Sequence, residues 1–353
     1  MAHTPAVDFG RAVRIVRIAG GRVAERIDLR TAAVCLIVLA FTAVVAVWTL
    51  MTGDFPVTPG EVLQALFGEA SRRVEMVVVE WRLPRVLLAV VLGAALGMSG
   101  AIFQSVTRNP LGSPDVIGFE AGAYTGALCV IILWHGGYYE VATGALAGGI
   151  LTAVVVYFLA YRQGVQGFRL IVVGIGVGAM LTALNTYLML KAQLQVAMTA
   201  AIWGAGTLNG VGFDKLVPAS IAIAGLMLVA VFLARPMRQL EMGDDAAGAL
   251  GIRPERARLA LIFLGIGFTA TATAAAGPIS FVALAAPQIA RRLARSPGVA
   301  LVPSACLGAL LLAVADLAGQ RTFAPTQLPV GVVTVSIGGL YFAWLLIREA
   351  RRK

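Results

Sequence analysis

Charged residues are scarce in this sequence, and their scarcity excludes an ordinary water-soluble protein. Of the 353 residues, 13% are charged and 59% are hydrophobic, whereas soluble domains carry about a quarter charged and about half apolar residues. The mean hydropathy is +0.86. We therefore interpret the chain as an integral membrane protein.

Lysine, histidine and cysteine are also rare, at three, two and three residues. No G-x-x-x-x-G-K-[ST] sequence occurs, so the chain lacks the loop that commonly cradles ATP phosphates. The cysteines lie inside apolar blocks without a C-x-x-C pair, which argues against a disulfide framework and a thiolate metal site. We expect no catalytic residue and no metal bound directly by the protein.

The apolar residues gather in ten blocks, most of them close to the roughly 20 residues that a helix needs to cross a membrane. The third and eighth blocks are short, but we interpret all ten as crossings in one all-α transmembrane domain, residues 31–353, which follows a basic tail, residues 1–30. The blocks are 31–50, 86–106, 119–134, 141–160, 170–190, 216–233, 259–276, 279–290, 299–319 and 329–347.

The basic residues support this topology. If the N-terminus is cytoplasmic, 21 of the 28 basic residues lie on the inner side, as the positive-inside rule predicts. Both termini are then cytoplasmic, and the net charge of +10 needs no nucleic-acid partner. The seven outer basic residues are Arg72, Arg73, Arg82, Arg85, Lys191, Lys215 and Arg321.

Local patterns predict short helices and close helix contacts. Thr58, Pro59 and Glu61 form a capping-box pattern that begins a short outer helix. The segment 191–215 is apolar but too short to cross, which predicts a second outer helix. Small residues spaced by four allow helices to approach closely in lipid; these are Gly93, Gly97 and Ala101, Gly144 with Gly148, and Gly174 with Gly178.

The inner segment 235–256, RPMRQLEMGDDAAGALGIRPER, contains a short helix pattern. We expect Asp244 or Asp245 to cap this helix and Gly251 to end it in the left-handed conformation. Its apolar edge either faces the cytosol or packs against its own loops; this edge comprises Met242, Ala246 or Ala247, and Leu250.

Polar residues inside the apolar blocks are few. Thr182, Asn185 and Thr186 share one face of the fifth block, where they line a pathway or make hydrogen bonds between helices. Only Asp316 and Glu120 could serve ion coupling. We expect backbone or Asn185-type neighbours to satisfy Asp316, and an ion-coupled carrier stays open as an alternative.

The stretch SVTRNPLGSPDVIGFEAGAY, residues 105–124, interrupts the apolar pattern with charge and proline. Together with the block before it, residues 81–118 closely resemble the second span and following inner loop of the FecCD-type permeases. These are the membrane subunits of ATP-binding-cassette importers for iron siderophores, haem and vitamin B12. Segments 243–252, 274–293 and 328–347 resemble further parts of that family in the same order.

Within the family, the last two segments are most similar to a ferric-enterobactin permease subunit, which pairs with a second, non-identical permease. Two departures from the commoner family pattern point this way. Gln288 follows Pro287 where histidine is usual, and Gln327 precedes Leu328 where glutamate is usual.

The resemblance implies roles for particular residues. Asn109, Pro110 and Leu111 match a cytoplasmic gate; Gly167 and Phe168 stand where some relatives place its second half. Arg82 and Arg85, and by near alignment Arg321, match arginines that receive a substrate-binding protein. The segment around 243–252 matches the helix that docks on the ATPase, which favours a cytosolic apolar edge; its residues are Glu241, Gly243, Asp244, Asp245, Ala247, Leu250 and Gly251.

These implications combine into one expected function. The chain would be a type II ABC importer permease in the inner membrane of a bacterium, translocating a ferric siderophore. Its partners would be a second permease, two ATPase subunits that bind ATP and Mg²⁺, an extracytoplasmic siderophore-binding protein and membrane lipid. An ABC permease for cobalamin or haem is the nearest alternative.

Overall fold

The computed structural model describes residues 13–18, 23–115, 118–161, 167–296 and 298–350, and within them the fold is helical apart from one strand pair. Two π-helical turns, Met76–Arg82 and Val130–Trp134, lead into α4 and extend α5. The helices are α1 Leu29–Met51, α2 Pro59–Leu66, α3 Arg72–Glu75, α4 Leu83–Thr107, α5 Phe119–Cys129, α6 Tyr138–Ala160, α7 Gly167–Lys191, α8 Leu194–Gly204, α9 Phe213–Glu241, α10 Asp244–Ala249, α11 Pro254–Ala276, α12 Val282–Ala294, α13 Leu301–Arg321 and α14 Val330–Ala350.

The strand pair precedes α1 and was not predicted. Strands β1, Val13–Ile18, and β2, Val23–Asp28, are antiparallel, with Val13 opposite Asp28. Valine and isoleucine are frequent in both segments, and these β-branched residues favour extended backbone. The predicted basic tail therefore contains a hairpin in its described part.

Seven helical stretches in the described chain are long and apolar enough to cross a membrane. Block three corresponds to α5 and its π-helical extension, and block eight to α12, whose 13 residues span about 20 Å at helical rise. The all-α membrane architecture is confirmed, while ten crossings stay a prediction. The seven are Leu29–Met51, Arg72–Thr107, Tyr138–Ala160, Gly167–Lys191, Phe213–Glu241, Pro254–Ala276 and Leu301–Arg321.

Helix α4 lies at the centre of the bundle and packs against α13, α11, α12 and α9. Glycine permits these contacts: a Cβ atom at Gly97 would lie 2.1 Å from the Ser304 carbonyl oxygen, and one at Gly93 would lie 2.4 Å from that of Gly308. The predicted small-residue row on this helix is confirmed as a contact surface.

The two short helices predicted for segments 58–66 and 191–215 are also present, while their outer position stays a prediction. The Thr58 hydroxyl accepts a hydrogen bond from the Glu61 amide at 3.3 Å, and the Thr58 amide donates to Glu61 Oε2 at 2.8 Å, so α2 begins with a complete capping box. The short apolar helix in segment 191–215 is α8. Both predictions rested on local sequence and are confirmed.

Candidate functional site

A cavity of about 950 Å³ lies between α5, α7, α14 and the loop before α12. All three predicted pathway residues, Thr182, Asn185 and Thr186, contribute to its lining. Thr182 donates to Gly178 O at 2.8 Å and Thr186 donates to Thr182 O at 3.0 Å, so both hydroxyls are bonded along their own helix.

Asn185 behaves differently from its two neighbours. It is buried, donates to Ala121 O at 3.1 Å and accepts from the Thr125 hydroxyl at 2.7 Å, so it joins α7 to α5. Asn185 therefore makes hydrogen bonds between helices, which was one of the two interpretations. The two threonines line the cavity and make no such bond between helices.

Two carboxyl groups, Asp115 and Glu120, also line the cavity. Ser280 donates to Glu120 Oε2 at 2.6 Å, and the Phe281 amide donates to Asp115 Oδ2 at 3.3 Å. Their other oxygens are buried without a donor among the described residues. Burial raises the pKa of Asp115, which lies in the loop between α4 and α5.

The predicted gate residues follow directly on α4. Arg108 ends that helix in the left-handed conformation, with φ of 50°. The Asn109 side chain then accepts from the Leu111 amide at 2.9 Å, and Pro110 O accepts from Gln288 Nε2 at 2.8 Å. The loop is thus fixed to α12, while the Leu111 side chain is exposed.

Gly167 and Phe168 stand where some relatives place the second half of the gate. Gly167 begins α7 and packs against the C-terminal end of α4. A Cβ atom there would lie 2.6 Å from Thr107 O, whereas Phe168 is exposed.

Helix α10 forms within segment 235–256, where the sequence predicted a short helix, and Gly251 ends it as expected. Gly251 has φ of +82°, the Gly251 amide donates to Gly248 O and the Ile252 amide donates to Ala247 O. This is the two-bond termination typical of a left-handed glycine. Leu250 is exposed, while Ala247 is buried.

The predicted cap of α10 is wrong. The residue before the helix is Gly243, with φ of 113°, and no side chain caps the first turn. Asp244 instead accepts from Arg258 at 2.8 and 2.9 Å and from Arg108 at 2.7 Å. These two guanidinium groups take the carboxylate away from the helix start and lower the pKa of Asp244, with Arg258 contributing most.

Glu241, at the end of α9, also faces inward rather than toward a partner. Its Oε1 accepts from the Ser105 hydroxyl at 2.9 Å and from the Val299 amide at 3.4 Å. The carboxylate therefore joins α9 to α4 and to the loop before α13.

The expectation for Asp316 is confirmed only in part, because an amide side chain bonds it but its ion-pair partner was not predicted. Asp316 forms an ion pair with Arg85 at 2.8 Å and accepts from Gln320 Nε2 at 2.7 Å. Arg85 further donates to Gln327 Oε1 at 2.8 Å. The network links α4 to α13 and to the segment before α14. The Arg85 side chain is 13% exposed and that of Asp316 is 2% exposed, so the pair is largely out of solvent.

The other two predicted docking arginines lie nearby. Arg82 donates to Leu50 O and Phe55 O, both at 2.7 Å, and its charge is close enough to Arg321 for repulsion. Arg82 and Arg85 line a second cavity of about 620 Å³, which also contains Asp54, Glu80 and Asp214. This cavity therefore has a mixed charge rather than a purely basic one.

Several site residues escaped sequence analysis. Arg108 and Asp115 interrupt an apolar stretch, which was a signal, but nothing local in the sequence indicated Arg258 or Ser280. Among the described residues, no group of three or more histidine, cysteine, aspartate or glutamate side chains could hold a metal ion. The cavity beside α7 is thus lined by hydroxyl, amide, carboxyl and apolar groups, and the second cavity also by the guanidinium groups of Arg82 and Arg85.

A helical membrane bundle of this kind, with a cavity beside its core and a short helix after α9, defines the membrane subunit of a transporter. Residues 38–348 match the FecCD transport family. The chain belongs to this family.

Individual relatives agree with this assignment. The chain is 51% identical over 319 residues to the ferric enterobactin transport system permease protein FepG of Escherichia coli (strain K12), covering 90% of this chain and 97% of that one. It is 36% identical to the iron(3+)-hydroxamate import system permease protein FhuG of Bacillus subtilis (strain 168), covering 89% and 97%.

A solved structure has the same fold. The chain aligns with a metal-chelate type ABC transporter in an inward-facing conformation, with a TM-score of 0.79, 23% identity and coverage of 90% of this chain and 99% of that one.

Proposed function

We propose that this chain is the permease subunit of an ATP-driven importer that moves a ferric siderophore across the bacterial inner membrane. The cavity beside α7 carries the proposal. Its volume of about 950 Å³ lies at the upper end of the range for sites that hold drug-sized ligands. Thr182, Asn185 and Thr186 line it, and the described residues include no group of three or more potential metal ligands, so it suits iron that arrives wrapped in an organic chelator.

The energy for transport would come from separate subunits. The sequence contains no P-loop, so ATP and Mg²⁺ would bind to two partner ATPases. Leu250 and Met242, both exposed at α10, would enter a groove on such a subunit, and Gly251 gives the helix a defined end there.

The two ends of the pathway would be controlled by different parts of the chain. On the inner side, Asn109, Pro110 and Leu111 would form the gate, since their loop is fixed to α12 and presents Leu111 outward. On the outer side, Arg82 and Arg321 would receive acidic residues of a siderophore-binding protein. Arg85 would contribute there chiefly by fixing the local structure, because its guanidinium is paired with Asp316.

The arrangement needs a second permease. α7 and α9 leave many large apolar side chains exposed, among them Ile175, Leu190 and Phe232. Such faces suit a partner subunit and lipid. We infer a non-identical partner from the resemblance of the last two segments to a ferric-enterobactin permease subunit, and we place both termini in the cytoplasm according to the positive-inside rule.

The test is to purify the tagged chain with its native partners, place the complex in proteoliposomes and measure uptake of radiolabelled iron carried by catecholate and hydroxamate siderophores. We expect uptake that requires ATP and the binding protein. Uptake of cobalamin or haem instead would select the nearest alternative. Transport driven by an ion gradient without any ATPase would overturn the proposal.

A pair of variants tests the ATPase contact separately. Leu250→Asp places a carboxylate in an apolar contact, where desolvation is costly, so the purified complex should lose ATPase subunits. Leu250→Met keeps the apolar edge and should retain them. Equal retention in both variants would contradict the contact at α10.

A further inference from the structure

The inner end of α4 and the start of α10 are joined by one carboxylate. Asp244 Oδ1 lies 2.7 Å from Arg108 Nη2 and 2.8 Å from Arg258 Nη2. Arg108 is the residue that ends α4, and Asp244 is the residue that begins α10. The carboxylate therefore bridges two helices through two residues, Arg108 and Asp244, that are 136 positions apart in the sequence.

Arg108 is the residue at which α4 passes directly into the gate loop, Asn109–Leu111. Its backbone has φ of 50°, a conformation that is uncommon for residues other than glycine. This conformation ends α4 and directs the chain into Asn109, Pro110 and Leu111. A displacement of the Arg108 guanidinium therefore acts on the residue from which the loop departs.

The other side of the bridge is firmly held. The Arg258 side chain is 11% exposed and bonds both carboxylate oxygens of Asp244, at 2.8 and 2.9 Å. Arg108 also donates to Leu240 O at 2.8 Å, so it touches the end of α9 just before α10. Asp244 is thus fixed to α11 on one side and linked to the gate loop on the other.

The Arg108 link has the properties of a contact that can open and close. The side chains of Arg108 and Asp244 are 48% and 47% exposed. Water can therefore replace either partner at little cost, since exposed ion pairs contribute little to stability. The Arg258 pair, with one side chain mostly buried, has no such freedom.

We infer that Asp244 is a positioning residue of transport, whose carboxylate passes the displacement of α10 through Arg108 to the loop Asn109–Leu111. The inference rests on the proposed function, since it takes α10 as the ATPase contact and this loop as the gate. It adds the physical connection between them.

The experiment uses the complete complex with its ATPases and binding protein in proteoliposomes. The measured quantity is the amount of ferric siderophore imported per ATP hydrolysed, for wild type, Asp244→Asn, Arg108→Gln and the double variant. We expect each single variant to lower this ratio by about fivefold, the factor that corresponds to about 1 kcal/mol. The double variant should resemble the singles, because residues that act through one contact are not additive.

One control separates the link from a general loss of charge. Glu255→Gln removes an exposed charge at the start of α11 and should leave the ratio unchanged. A loss equal to that of Asp244→Asn would overturn the inference in favour of a general charge effect.

The remaining outcomes are also decisive. An unchanged ratio in Asp244→Asn or Arg108→Gln would overturn the inference, as would loss of the ATPase subunits from either variant, because the residues would then act in docking. Additive losses in the double variant would show separate roles and overturn it as well. A wild-type complex that imports no ferric siderophore with ATP would instead overturn the proposed function, and this inference with it.

Discussion

The two ends of α4 are held by ion pairs of opposite character. At its N-terminal end, which the proposed topology makes the outer end, Arg85 and Asp316 are 13% and 2% exposed and are joined through both the Nε and Nη2 atoms of the arginine. At its C-terminal end, the proposed inner end, Arg108 and Asp244 are each about half exposed and are joined by one nitrogen.

This difference separates a fixed end from an adjustable one. A buried pair is expensive to break because either partner alone would be left charged and unsolvated, whereas an exposed pair is readily exchanged for water. The central helix of the bundle is therefore anchored at its outer end and adjustable at its inner end. Four substitutions test this contrast.

The largest effect is expected when the outer pair is broken. Asp316→Ala leaves the Arg85 guanidinium buried without its partner, and we expect the free energy of unfolding to fall by about 3–5 kcal/mol. Chemical unfolding in detergent micelles, followed by tryptophan fluorescence, measures this change. The double variant Arg85→Met, Asp316→Leu should recover most of the loss, since it leaves no charge behind; no recovery would contradict the anchoring role.

The middle of α4 should be the next most sensitive part. In Gly97→Ala the new methyl group would meet the Ser304 carbonyl oxygen at 2.1 Å, so α13 must shift, at a cost of about 1–3 kcal/mol for overpacking. Gly225→Ala is the matched control, because nothing lies within 4 Å of a Cβ atom at that position in α9. Unfolding midpoints that fall equally for both variants would contradict the close contact.

A smaller effect is expected at α2, which packs beside the outer end of α4. Thr58→Ala removes the hydroxyl that accepts from the Glu61 amide, which costs about 1 kcal/mol for a helix cap. Hydrogen exchange should become faster for the amides of α2 and stay unchanged in α4. Thr199→Ala, at a threonine bonded within α8, serves as the control and should leave α2 exchange unaltered.

The smallest effect on stability is expected at the inner pair. Arg108→Gln should lower the free energy of unfolding by less than about 1 kcal/mol, because solvent screens the half-exposed pair that it breaks, while Arg258 keeps its pair with Asp244. Arg258, and then Arg108, lower the pKa of Asp244 in the folded protein. The contribution is therefore present above the ordinary aspartate pKa of about 3.9 and is lost as the pH falls through the lower folded value.

Unfolding of wild type and Arg108→Gln across this acidic range checks the prediction. The two curves should differ at neutral pH and converge in acid. A difference as large as that for Asp316→Ala would remove the contrast between the two ends of α4.

The features that the sequence predicted correctly depend on residues that are close to one another along the chain. The apolar blocks, the Thr58 capping box, the Gly251 helix end and the glycine row of α4 all involve spacings of a few residues. The capping prediction for Asp244 failed because Arg258 and Arg108, 14 and 136 residues away, compete for the carboxylate. The ion-pair partner of Asp316 was missed because Arg85 lies 231 residues away.

The family resemblance identified some residues that take part in contacts between distant segments. Gln288 and Gln327 were marked only as departures from a common pattern, and both proved to be hydrogen-bond partners, of Pro110 and Arg85 respectively. The resemblance identified the positions but not their contacts, because contacts between distant segments depend on how the helices pack.

The cavity beside α7 has a consequence for how cargo preference could change. Its lining from this chain, which includes Thr182 and Asn185, forms one wall. If a non-identical subunit supplies the facing wall, each gene encodes half of the recognition surface. A single substitution on one side would then alter the fit to a new chelator while the opposite side keeps its original chemistry, so selectivity could shift by steps without both subunits changing together.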